Sequence, residues 1–118
     1  MSEWFKLKNK EFSESDNEWQ RTYSCLLSFT FKKFSISEIT ITDHYQEKHP
    51  EITDKLILNI LKERINDRKR MKPRKRHGTR DIYVLERTFY QDQRYRLVFW
   101  FKNGSDNHLW IRNCHPQD

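Results

Sequence analysis

Five histidines are the side chains of this 118-residue chain best suited to moving protons near neutral pH: His44, His49, His77, His108 and His115. An unperturbed imidazole titrates at about 6.5, so it can take a proton in one step and return it in another. His44 and His49 flank one short stretch, and His115 follows the last apolar run. These three rank above His77, which lies in a cationic block, and His108, which lies by a turn. No metal site is expected, because His44 and His49 are five residues apart rather than the three or four that share a helix face. Cys25 and Cys114 are too few for a disulfide framework and lack metal-ligand spacing. Cys25 falls on an apolar alternation as a core thiol would, and Cys114 adjoins His115, a conceivable nucleophile pair.

Groups that hold anions are plentiful. Arg80, Arg87, Arg96 and Arg112 fall on or beside the expected strands. Arg96 shares a strand face with Val98 and Trp100, and Arg112 shares one with Trp110. An arginine beside an aromatic on a sheet surface can hold a phosphate while the ring stacks a base. It can equally shield the ring by cation–π contact. The densest charge lies in residues 62–80: Lys62, Arg64, Arg68, Lys69, Arg70, Lys72, Arg74, Lys75, Arg76 and Arg80 are ten of the chain's 23 lysines and arginines. Only Glu63 and Asp67 oppose them there. Such a block favours polyanions, nucleic acid first and an acidic protein or membrane surface second. A solvated basic loop is the plain alternative.

Several elements must position these groups. Residues 1–20 are polar with isolated aromatics, and Ser13 to Trp19 could open a short helix. From Thr22, Tyr23, Cys25, Leu27, Phe29 and Phe31 alternate with polar residues, the period of a half-buried strand. Ile36, Ile39 and Ile41 predict a second strand, in hairpin with the first around Lys33 to Ser35. Asp43 and Gln46 form a capping-box pattern that starts a short helix at His44, limited by Pro50. Thr53 caps a second helix over 54–66, whose stripe is Ile52, Leu56, Ile57, Ile60 and Leu61. Pro73 and Gly78 interrupt the basic block. Strands then follow over 81–90, 95–102 and 108–113, with turns at 91–94 and at Asn103-Gly104. The middle of these three is apolar on both faces and reads as a central strand covered on both sides.

The fold class expected is α+β: one or two helices packed on a twisted antiparallel sheet of four to five strands. The length predicts one domain spanning 1–118, with a polar N-terminal segment (1–20) and a basic arm (62–80) within it. Eight Phe, five Tyr and four Trp supply an aromatic core in an otherwise polar chain of net charge +6. Two glycines exclude Gly-rich phosphate loops. No run reaches 18 apolar residues and the N-terminus lacks an apolar signal core, so the expectation is a cytoplasmic protein without a membrane partner.

The order of parts resembles the small toxin- and phage-type ribonucleases grouped with barnase and RelE. The resemblance covers about residues 36–116 and rests on Thr42-Asp43-His44, His49-Pro50-Glu51, Tyr95-Arg96-Leu97-Val98-Phe99 and the closing Trp110-Ile111-Arg112-Asn113-Cys114-His115-Pro116. It implies a toxin-type endoribonuclease that cleaves RNA without a metal or other cofactor. That chemistry needs a base for the 2′-hydroxyl, an acid for the 5′-oxygen and cations for the phosphorane. His44, His49 and His115 are the candidates for proton transfer, with Arg96 and Arg112 as stabilisers. Arg68, Lys69, Arg70, Lys72, Arg74, Lys75, Arg76, Arg80 and Trp110 are the candidates for binding RNA. The resemblance also implies an acidic antitoxin or inhibitor protein as partner. The alternatives are a non-catalytic nucleic-acid-binding regulator and a phage or mobile-element inhibitor whose basic arm docks an acidic protein.

Overall fold

The computed structural model describes residues 3–43 and 49–117. Along the chain they form β1 (Phe5–Ser13), β2 (Glu18–Cys25), β3 (Thr30–Phe31), β4 (Phe34–Ser35), β5 (Glu38–Thr42), α1 (Asp54–Arg64), β6 (Lys75–His77), β7 (Arg80–Tyr90), β8 (Gln93–Phe101) and β9 (His108–Gln117). Seven strands make one sheet in the order β1-β2-β5-β9-β8-β7-β6, and β3 pairs with β4. This overturns the expected four to five antiparallel strands under one or two helices. The sheet is larger, it is mixed, and α1 is the single helix among the described residues. The short helix expected at His44 lies outside the described residues.

Two features of the sequence hid the larger sheet. Residues 1–20 supply β1 and the start of β2, not a helix, and the two strands pair from Phe5↔Cys25 to Ser13↔Glu18. Most of β1 is exposed, so no apolar alternation marks it. The turn between them places Asn17 at φ +53°, a left-handed position that asparagine tolerates. The long alternation from Tyr23 to Phe31 is likewise not one strand. Pairing with β1 ends at Cys25, Leu26 and Leu27 are exposed, and Phe29 and Phe31 plunge into the core. The partner of β2 is β5, from Gln20↔Thr42 to Ser24↔Glu38, while Lys32 and Lys33 form the small β3–β4 turn.

The centre of the sheet is a parallel pair, β5 with β9, from Glu38↔His108 to Ile41↔Ile111. β5 leads into α1, and the chain then returns through β6, β7 and β8, so β9 enters beside β5 in the same direction. Ile39, Ile41, Leu109 and Ile111 are 0–1% exposed, as a central parallel pair requires. α1 follows the sequence closely. Thr53 accepts a hydrogen bond from the Leu56 N–H, Asp54 sits in the first turn, and Lys62 and Arg64 sit in the last. Ile57, Leu58, Ile60 and Leu61 are buried against the sheet cluster, together with Phe29, Phe31 and Ile36 from the segment around β3. Beyond the Ile65 C-cap the helix ends, and the Asn66 side chain accepts from the Thr30 N–H at 2.9 Å. Arg21 and Tyr23 on β2 both donate to the Asp54 carboxylate, which pins the start of α1 to the sheet.

Candidate nucleic-acid interface and histidine pair

Alternation along β8 and β9 sends Leu97, Phe99, Leu109 and Ile111 toward α1 and sends Arg96, Val98, Trp100 and Trp110 to the opposite face. A register shift after Val98 absorbs one extra residue of β9, so Val98 pairs with Asn113 and Arg96 pairs with His115. Val98 and Trp100 are half-exposed, so β8 is an interior strand of the sheet but not covered on both sides.

Trp100 and Trp110 are direct cross-strand partners on this open face. The Arg80 guanidinium lies 4.6 Å over the Trp100 ring, and the Lys102 ammonium lies 6.0 Å over Trp110. Arg112 donates to both oxygens of the nearly buried Glu18 carboxylate at 3.1 Å. Together they border a cleft of about 430 Å³. Arg80 also donates to the Asn103 side chain at 3.2 Å, while its Nε is buried without a hydrogen-bond partner. A larger cavity of about 850 Å³, with Lys32, Lys33 and Lys69 in its walls, opens on the other side of the same strand ends. The two meet at Arg80, Lys102 and Asn103. Asp16, Glu18, Asp81 and Asp106 also line them, so the path around the β8–β9 turn is mixed in charge with cations in excess.

The second cluster forms where β9 outruns β5. Beyond Ile111, the edge of β9 is no longer paired with β5. There the His49 ring stacks on His115, with centroids 6.4 Å apart and 22° between planes. The His49 Nδ1 lies 3.4 Å from the Glu51 carboxylate. The His115 Nδ1 is 3.2 Å from the Asn113 amide oxygen, which accepts when Nδ1 carries the hydrogen. Partial burial pushes the His115 pKa below its ordinary value, and the charges of Arg96 and His49 push the same way against Glu86. The shift favours the neutral imidazole. Arg96 is held by Glu86, its Nε donating at 2.7 Å, and Arg74 stands 3.7 Å from the same carboxylate.

The sequence-predicted residues thus divide into groups. His49, His115 and Arg96 come together. Arg112 joins Trp110 and Arg80 at the cleft instead, some residues along the face from His115. His44 lies outside the described residues. Lys69 lines the larger cavity, and Arg68 bridges to Phe31 beside β3. Arg70 and Lys72 are exposed, and Lys75 and Arg76 lie on the short edge strand β6, where Arg76 is held by Asp81. His77 ends that strand, and His108 is buried with its Nε2 2.7 Å from the Thr40 hydroxyl. Cys114 and His115 do not form a pair, since neighbours on a strand face opposite ways. Cys114 is in the core, where burial pushes its thiol up to about 12.

Sequence reasoning placed Trp100 on one face with Arg96 but missed its pairing with Trp110, and it missed Lys102, Lys32 and Lys33 as parts of the path. The pairing could have been found from the places of the two tryptophans across the Asn103-Gly104 turn. Among the described residues, no three His, Cys, Asp or Glu side chains converge as metal ligands. No helix of the described residues is long and apolar enough to cross a membrane. No protein-family model, curated protein or solved structure matches the chain.

Proposed function

We propose that the protein is a metal-independent endoribonuclease of the toxin type, acting on RNA in the cytoplasm. The observation that carries this reading is the stack of His49 on His115 beside Arg96, three residues drawn from distant parts of the chain. His115 in its neutral form takes the proton of the ribose 2′-hydroxyl. The 2′-oxygen attacks phosphorus, the bond to the 5′-oxygen breaks, and His49 passes a proton to the leaving oxygen. Arg96 stabilises the charge of the phosphorane. The products are a 2′,3′-cyclic phosphate and a 5′-hydroxyl end. Arg112 serves binding rather than chemistry in this scheme, because it sits at the tryptophan cleft. An acidic inhibitor protein covering the basic surface belongs to the same proposal.

Incubating purified protein with RNA in the presence of EDTA tests this. Cleavage that H49A and H115A each abolish, with RNA binding retained, is the expected result. Cleavage unchanged in both variants, or none by the wild-type protein, sinks it.

A second reading, a non-catalytic nucleic-acid-binding regulator, is favoured by the ion pairs of the arginines. Glu86 already holds Arg96 and Glu18 already holds Arg112, so a phosphate must displace or share a carboxylate. The tryptophan cleft needs no proton transfer to bind. RNA retention without any cleaved product selects this second reading.

A further inference from the structure

We propose that the substrate is single-stranded RNA, with a base stacked on the Trp100–Trp110 pair about two nucleotides from the phosphate held at His115. The count of nucleotides rests on the ribonuclease reading; the stacking site does not. The two clusters share one face of one two-stranded ladder. Trp100 pairs with Trp110, and Arg96, four residues back along β8, pairs with His115. At a rise of about 3.3 Å per residue, four residues span roughly 13 Å. A stacked strand of nucleic acid advances about 3.4 Å per phosphate, and one drawn out to twice that covers the span in about two nucleotides. The count of two nucleotides is thus the count for an extended strand.

The chemistry of the cleft agrees. Each tryptophan has a cation over its ring, Arg80 on Trp100 and Lys102 on Trp110. A base can stack on a guanidinium plane as it does on an indole, and the ammonium can turn to a phosphate. The Arg80 guanidinium is fixed over Trp100 by its bond to the Asn103 side chain, which holds its plane in place for stacking. Arg112 lies along the same face between the tryptophans and His115, with Glu18 orienting it. Duplex bases are stacked within their own helix and cannot reach these rings, so a paired strand is disfavoured. An acidic protein would engage the cations but would gain little from two half-exposed indoles.

The test uses full-length protein and an eight-nucleotide oligouridylate methylated at every 2′-oxygen, which cannot be cleaved by 2′-hydroxyl attack. Binding is followed by tryptophan fluorescence, beside a duplex of the same length and poly-glutamate. The single strand should quench the fluorescence and bind at least tenfold more tightly than either competitor. W100A and W110A should each weaken it by about 5- to 150-fold, whereas W110F should retain most of the affinity. Thermal melting by circular dichroism checks that the variants fold; should W110A not fold, W110F against W110L decides, with the leucine variant expected to bind more weakly.

Affinity unchanged in both alanine variants overturns the proposal, and so does equal binding of duplex or poly-glutamate. Tryptophan-dependent binding of the single strand by a protein that cleaves no RNA supports the stacking site while removing the ribonuclease reading. In an active protein, a single abasic nucleotide moved along a cleavable RNA should slow cleavage most when it lies about two nucleotides from the cut. A slowing that is the same at every position overturns the spacing.

Discussion

The two faces of the β8–β9 ladder are made by the same residues in alternation, yet they have opposite fates. Toward α1, Leu97, Phe99, Leu109 and Ile111 are 0–1% exposed and touch one continuous apolar cluster. Toward solvent, Trp100, Trp110, Arg96, Arg112 and His115 are half-exposed and are met by Arg80, Lys102, Glu86, Glu18 and His49. The first face holds the strands in place; the second displays what those strands position. A functional surface on a sheet is thus as rigid as the core behind it, because one backbone serves both.

That division can be broken most severely from the core side. Phe31 is fully buried, with ring contacts to Tyr83, Phe99 and Phe101 at 5.2–5.9 Å. F31A should cost about 3–5 kcal/mol in urea unfolding and, by loosening β8, should also weaken RNA binding. D54A removes the carboxylate that Arg21 and Tyr23 share at the base of α1. With Arg21 and Asp54 both about 13–14% exposed at their side chains, the loss should be about 3 kcal/mol. On the open face the balance reverses. W110A should reduce oligonucleotide affinity by about 1–3 kcal/mol while lowering the melting temperature less than F31A does. A melting loss equal to that of F31A would show that the open face is structural after all.

Smaller changes sharpen the contrast. T53A deletes the α1 cap and should cost about 1 kcal/mol with no change in affinity for the single strand. R96Q acts on His115, whose pKa is lowered first by burial and then by the charges of Arg96 and His49. Because the folded value lies below that of the unfolded chain, His115 contributes stability that is complete above about pH 6.5 and is lost as pH falls through the folded value. R96Q should raise the His115 titration point read by NMR and soften that acid-side loss of melting temperature. A His115 titration that does not move would separate the two residues electrically.

Local physics was legible in the residues alone. The Thr53 cap and the Ile57, Ile60, Leu61 stripe predict a helix over 54–66, and α1 spans Asp54–Arg64. Asn103-Gly104 predicts the turn between β8 and β9, and Gly104 takes the left-handed φ of +75° there. The faces shared by Arg112 with Trp110 and by Arg96 with Trp100 need only a period of two; the pairing of Trp100 with Trp110 and the place of Lys102 over Trp110 needed the partner strand as well. Three things were decided by the tertiary structure. β1 is so exposed that only its pairing with β2 makes it a strand. The run from Tyr23 to Phe31 carries one alternation across two elements, since burial of Phe29 and Phe31 outweighs extension of the strand. The parallel pairing of β5 with β9 brings His49 against His115. Periodicity tells which way a side chain points along its own strand; which strand lies beside it depends on how the whole apolar surface is buried at once.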